Sequence, residues 1–250
     1  MNHFIRHFNE IGINDVAFVG GKNASLGEMF QNLSKQGVKI PDGFAITSEA
    51  YWHFIEANHI KGKLNEILAK LDTKNFSNLK RVGKEVRKIM LNTTFPNDLA
   101  KVIIQSYKEL TIKYGNKITL AVRSSATAED LPGASFAGQQ ETYLHIKGER
   151  ELIESCKNCY ASLFTDRAIK YRYDNQFDQM KVALSIGVQL MVRSDKASSG
   201  VIFTLDPDSG FRNVVVVTGA WGLGESFVQG TVNVDEFCIF KPALEKNVPQ

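Results

Sequence analysis

Arg123 follows the apolar run Lys117-Ile-Thr-Leu-Ala-Val and is itself followed by Ser124, Ser125 and Thr127. That pattern reads as a buried strand over 117–123 that delivers a guanidinium at its end. A guanidinium there offers planar, two-pronged contacts to phosphate oxygens, and the hydroxyls beside it add donors. The segment SSATAEDLPGASFAGQQ, residues 124–140, is made almost wholly of small and hydroxyl residues. A loop of that length without periodicity is functional or disordered. Within it, Pro132–Gly138 reads as a flap whose amides cover a polyphosphate, with Phe136 as its one apolar anchor. A second candidate lies at Gly20-Gly21-Lys22. Two glycines before a helix let the backbone approach a ligand, the first helical amides point at it, and Lys22 adds a mobile charge. Taken alone, that tripeptide is more simply a turn with a solvated lysine.

Other polar groups leave two readings open. Glu129, Asp130 and Glu141 suit magnesium, or salt bridges to a neighbouring arginine. Gln189 interrupts the apolar strand Val188-Gln-Leu-Met-Val192; its amide suits a base edge or its neighbours' backbone equally well. Standard phosphate and nucleophile motifs are missing: no Gly-Lys precedes Ser or Thr, Gly222-Leu-Gly224 lacks a third glycine, and no Gly-x-Ser-x-Gly occurs. Cys156-x-x-Cys159 resembles a redox or zinc pair. It sits inside an apparently helical stretch, only Cys238 remains as a further thiol, and no histidine has partner spacing, so a structural role is expected.

The elements that must position these residues follow from periodicity. Leu26, Met29, Phe30 and Leu33 recur at helical spacing after Gly20-Gly21, and Gly37 stops that helix. A short extended piece at 44–47 leads into a helix capped by Thr47 or Ser48, and three more helices are expected near 62–71, 77–91 and 97–113. Beyond the loop come a strand at 141–146, one long helix over 149–173, and strands at 182–193, 199–205, 213–218 and 235–240. Helices first and strands later predict an α+β architecture.

Composition excludes several classes. With 250 residues, 43% hydrophobic and 23% charged, the chain is long enough for a sizeable core in one or two domains. The net charge of +3 includes no long run of like charges, so nucleic acid is not an expected partner. The run 182–192 is half the length of a membrane span and the first residues hold no continuous apolar stretch, so a cytosolic protein without a membrane partner is expected.

At GGKNASLGEM, AVRSSATAEDLPGASFAGQQETYL, ASSGVIFTLDPDSG and AWGLGESFVQGTVNVDEF the chain resembles the amino-terminal nucleotide-binding region of the phosphoenolpyruvate synthase (pyruvate, water dikinase) family. The resemblance runs from about Phe8 to Lys241. Pyruvate, phosphate dikinase and rifampicin phosphotransferase share this region, while MVRSDKASSGVIF and VNVDEFCIFKP look most like the synthase; Val234 stands where proline is expected.

The resemblance implies an ATP-grasp fold, with ATP between two α+β subdomains: 1–180 as the first, and 181–250 as the start of a second, incomplete one. It assigns Lys22 and Arg123 to the ATP phosphates as the catalytic clamp, Gly138 and Thr142 to the flap and its exit, and Gln189 to the adenine side. It further implies a phosphohistidine on a separate swivelling domain and pyruvate on a barrel domain, giving phosphoenolpyruvate, AMP and phosphate. Family enzymes are several times longer, and their magnesium ligands fall after the point where this sequence stops. The chain by itself is therefore expected to be inert, or to act as a nucleotide-binding or interaction module without chemistry of its own.

Overall fold

Alternation along Leu184-Ser-Ile-Gly-Val-Gln-Leu190 organises the larger part of the molecule. Successive side chains of a strand point to opposite faces, so Leu184, Ile186 and Val188 fall on one face and Ser185, Gly187 and Gln189 on the other. The computed structural model describes residues 3–127 and 141–246. Gly138, with the rest of the expected flap and Glu129 and Asp130, lies outside the described residues.

The chain divides into two units, 1–191 and 192–250. In the first, five strands form one antiparallel sheet: β1 (Ile5–His7), β2 (Gly43–Ile46), β3 (Leu120–Ala126), β4 (Thr142–Ile146) and β5 (Leu184–Leu190), in the order β1-β2-β5-β3-β4. The boundary falls after Met191, later than the expected 180/181. β5 is hydrogen-bonded to β2 on one side and β3 on the other, which makes it an inner strand of the first sheet.

Among the described residues seven α-helices accompany the sheet: α1 (Val16–Leu33), α2 (Ser48–Ala57), α3 (Lys61–Leu68), α4 (Leu79–Asn92), α5 (Asn97–Tyr114), α6 (Gly148–Ser162) and α7 (Asp166–Asp174). The main core joins Phe44, Ile46, Leu120, Val122, Ile186 and Val188 of the sheet to Tyr51 and Phe54 of α2, Met90 of α4, Ile103 of α5 and Tyr160 of α6. On the opposite face a smaller cluster of Phe8, Ile11, Val19, Ala24 and Ala45 lies under α1.

Three local expectations change. Arg123 sits mid-strand, because β3 runs on through Ser124, Ser125 and Ala126, each paired with β5. The long helix over 149–173 is two helices. Thr165 caps the second, its side chain accepting from the Ala168 amide, and Arg87 pins the corner through the Phe164 carbonyl (2.7 Å) and the Asp166 carboxylate (2.8 Å). The three-residue β1 carries too little pattern to be read in advance.

The second unit is a three-stranded antiparallel sheet, β6 (Ser198–Phe203), β7 (Val214–Trp221) and β8 (Asp235–Phe240), with two short helices, α8 (Gly224–Val228) and α9 (Lys241–Glu245). Gly200 is required there, since a Cβ would lie 2.1 Å from the Thr218 carbonyl oxygen. Ile202, Val217 and Phe237 form a cross-strand apolar row, and Ile202 and Phe237 are exposed. Helices and largely antiparallel sheets in one chain make the class α+β, as expected. Among the described residues no helix is long and apolar enough to cross a membrane.

Candidate functional site

The polar face of the first sheet gathers the groups with chemistry. Arg123 lies between Gly187 of β5 and Thr142 of β4, each its direct cross-strand partner. Its guanidinium is half-buried, and Nη2 donates to Gln189 Oε1 at 3.3 Å, a long contact. Among the described residues no carboxylate pairs with it. Burial pulls its pKa below the ordinary arginine value. A partly desolvated cation with one weak neutral partner has most of its donor fork available to an anion.

α1 approaches the same face through a break. Gly20 has φ 73° and ψ 159°, outside the helical region and in backbone space that favours glycine. A methyl group there would sit 2.3 Å from Ser125 Oγ and 2.6 Å from the Ser125 carbonyl oxygen. Gly20 therefore lets the chain touch β3 two residues beyond Arg123 and lets the helix begin again at Gly21. The exposed Lys22 thus occupies the first turn of the restarted helix, as the sequence predicts. The amides of a first turn have no intrahelical acceptor. Ser125 Oγ, beneath Gly20, is buried and has no hydrogen-bond partner among the described residues.

Asn23 secures this helix start. It is 1% exposed; Nδ2 donates to the Val19 carbonyl (3.0 Å) and to Ser185 Oγ (3.1 Å), and Ser185 Oγ donates to the Ile46 carbonyl (2.7 Å). Its Oδ1 occupies the space above Gly187, where a Cβ would lie only 2.3 Å away. Asn23, Ser185 and Gly187 were not singled out from the sequence. The period-2 alternation of β5, which puts Ser185 and Gly187 on the face of Gln189, is the signal that finds two of them.

Arg123, Thr142 and Gln189 share one patch, and Lys22 adjoins it through Gly20 and Asn23. Thr142 is exposed. Gln189 Nε2 donates to the Pro41 carbonyl (3.1 Å) while Oε1 accepts from Arg123. Cys156 and Cys159 are both buried in α6, and burial raises both thiol pKa values, which disfavours the thiolate that metal binding or exchange needs. A concave surface at the end of β1 is lined by His7, Glu10, Asp42, Glu109 and Lys113, and Arg123 is not among the residues that line it.

Residues 16–249 match the model of the pyruvate phosphate dikinase AMP/ATP-binding domain. The chain is 56% identical over 98% of its length to a phosphoenolpyruvate synthase of Helicobacter pylori, covering 30% of that protein. It is 50% identical over 97% of its length to the phosphoenolpyruvate synthase of Escherichia coli, again covering 30%. A probable phosphoenolpyruvate synthase of Methanocaldococcus jannaschii is 44% identical, with 20% of its length covered. The chain thus spans about a third or less of the curated relatives it matches. The chain is a member of the pyruvate phosphate dikinase AMP/ATP-binding domain family.

Proposed function

We propose that this chain is the ATP-binding part of a phosphoenolpyruvate synthase, built as an ATP-grasp domain whose first subdomain is the unit 1–191 and whose second, strand-rich subdomain begins in 192–250. Arg123 carries the reading. A half-buried guanidinium whose one partner among the described residues is a 3.3 Å amide contact is poised for a polyanion. Arg123 and Lys22 clamp the ATP phosphates, which positions them for attack by an imidazole and stabilises the charge that develops. Thr142, directly across from Arg123, adds a hydroxyl at the phosphate or ribose; Gly138, outside the described residues, is assigned to phosphate or ribose contact by the family resemblance alone. Gln189 holds Arg123 from the adenine side.

In the complete enzyme the phosphoryl group passes to a histidine on a swivelling domain, then to pyruvate on a barrel domain, yielding phosphoenolpyruvate, AMP and phosphate. Relatives named as phosphoenolpyruvate synthases support pyruvate over the acceptors of the related dikinase and rifampicin enzymes. Magnesium belongs to this chemistry. The described residues contain no group of three or more His, Cys, Asp or Glu suited to a metal ion. The isolated chain binds nucleotide without turning it over.

The test is a calorimetric titration of the chain with ATP, with and without magnesium, beside Arg123→Ala. Binding that the variant loses is expected. Absent binding by a folded chain, or equal binding by the variant, overturns the assignment of the phosphate clamp to this segment.

A further inference from the structure

The restarted helix at Gly21 has no continuous helical link to the turn before it, because Gly20 leaves helical geometry. Something must fix its first turn relative to Arg123. Two contacts do so. Gly20 rests against Ser125, and the Asn23 amide ties three pieces of chain together: Val19 on the other side of the break, Ser185 of β5 and, through Ser185, Ile46 of β2. The Asn23 oxygen lies over Gly187, the residue directly opposite Arg123, where any side chain would expel it. Both Nδ2 protons are committed, one to Val19 across the break and one to Ser185 of β5.

We propose that Asn23 is a positioning residue for phosphate binding: its amide locks the first turn of the restarted helix, with Lys22 on it, at a fixed place beside Arg123. The inference rests on the ATP reading above and adds a residue and a role to it. A buried amide that served stability alone would need only to be satisfied. This one spans the joint and seats on the strand that faces Arg123. Because a preorganised clamp loses little freedom on binding, loosening it weakens phosphate affinity without touching any group that contacts the ligand.

The experiment is a double-mutant cycle on the 250-residue chain, read by ATP titration and by thermal unfolding, with Lys22→Ala, Asn23→Ala and the pair together. Asn23→Ala is expected to weaken ATP binding about tenfold. In the Lys22→Ala background the same change is expected to weaken it by less than about twofold, while its effect on the melting temperature is the same in both backgrounds. Affinity losses that simply add, or an unchanged affinity in Asn23→Ala where Lys22→Ala has lost it, overturn the positioning role. Unchanged affinity in both Lys22→Ala and Arg123→Ala overturns the ATP reading itself. Ser185→Ala cuts the tie to β5 and, through it, the one to Ile46 of β2, leaves the bond to Val19 and keeps nearly the same volume, so it serves if Asn23→Ala does not fold. A smaller loss, again absent without Lys22, is expected from it, and an additive loss counts against the proposal.

Discussion

The two faces of the five-stranded sheet are made by alternate residues of the same strands, and they have opposite chemistry. On one, Val122, Ile186 and Val188 are buried in a core that runs through to Tyr160 and Met90. On the other, Arg123, Ser125, Ser185 and Gln189 meet α1 at a broken turn. The contrast extends to the arginines. Arg172 is also short of partners: Nε donates to Gln179 Oε1 at 2.8 Å, Nη1 and Nη2 have none, and burial lowers its pKa to about 10. Yet Arg172 is 0% exposed and packs over the Phe164 ring, whereas Arg123 is half open. Unmet hydrogen-bonding capacity marks a binding group only where a ligand can reach it.

The largest expected effect lies on the apolar face. Ile186→Ala removes a fully buried side chain from the inner strand and is expected to cost about 2–5 kcal/mol of unfolding free energy. Its folded fraction should bind ATP as the parent does. A loss of affinity measured well below the melting temperature would mean that the two faces are not separable.

Arg123→Met is the mirror experiment. The variant relieves a partly buried charge with one weak partner, so chemical denaturation should show stability kept or raised. ATP affinity should fall about 10- to 100-fold, the scale of a lost charge-assisted contact. A stability loss comparable with that of Ile186→Ala would make Arg123 a structural residue and remove the main support for the site.

How far the sequence discloses each face follows from the same contrast. Helices α4 and α5, the strands at the inner positions and the helix restart at Gly21 were legible because their patterns are local: apolar spacing, a proline before α5, paired glycines. The grouping of Arg123, Thr142 and Gln189 came from the family resemblance rather than from spacing, because cross-strand register depends on which strands pair. The pairing of β5 is hidden in the sequence for the same reason. Nothing in 181–191 announces that its partners lie more than fifty residues upstream, at Gly43–Ile46 and Leu120–Ala126. Asn23 was hidden for a different cause: a buried asparagine in a helix reveals its role only once its two acceptors, Val19 and Ser185, are known.

A smaller effect tests the closure of the apolar side. Cys156 and Cys159 are buried and Cys238 is exposed. Titration with an aromatic disulfide at mildly alkaline pH is expected to find one fast thiol in the native chain and all three after unfolding. Rapid reaction of a second native thiol would mean that α6 does not seal the core, and the redox reading of the pair would return.

The smallest effect lies at the turn that supports Gln189 from outside the site. Asp42 follows Pro41, whose carbonyl accepts from Gln189, and the Asp42 carbonyl itself accepts from the Leu190 amide (2.9 Å). Burial alone would raise the Asp42 carboxyl, but hydrogen bonds from Lys113 (2.8 Å), Tyr114 (2.7 Å) and the Gly43 amide (2.8 Å) outweigh it and hold its pKa below the ordinary 3.8. A carboxyl depressed in the folded state adds stability that is fully present above its unfolded value and is lost as pH falls through the folded one. The melting temperature should therefore drop more steeply below about pH 4 in the parent than in Asp42→Asn. Lys113 is largely exposed, so the difference should stay well under about 1 kcal/mol. At neutral pH, Asp42→Asn should bind ATP within about twofold of the parent, because the backbone carbonyls that hold Gln189 and Leu190 remain in place. A larger loss would mean that the carboxylate's grip on Lys113 and Tyr114, rather than the backbone turn, sets where Gln189 holds Arg123; the polar face would then extend to α5.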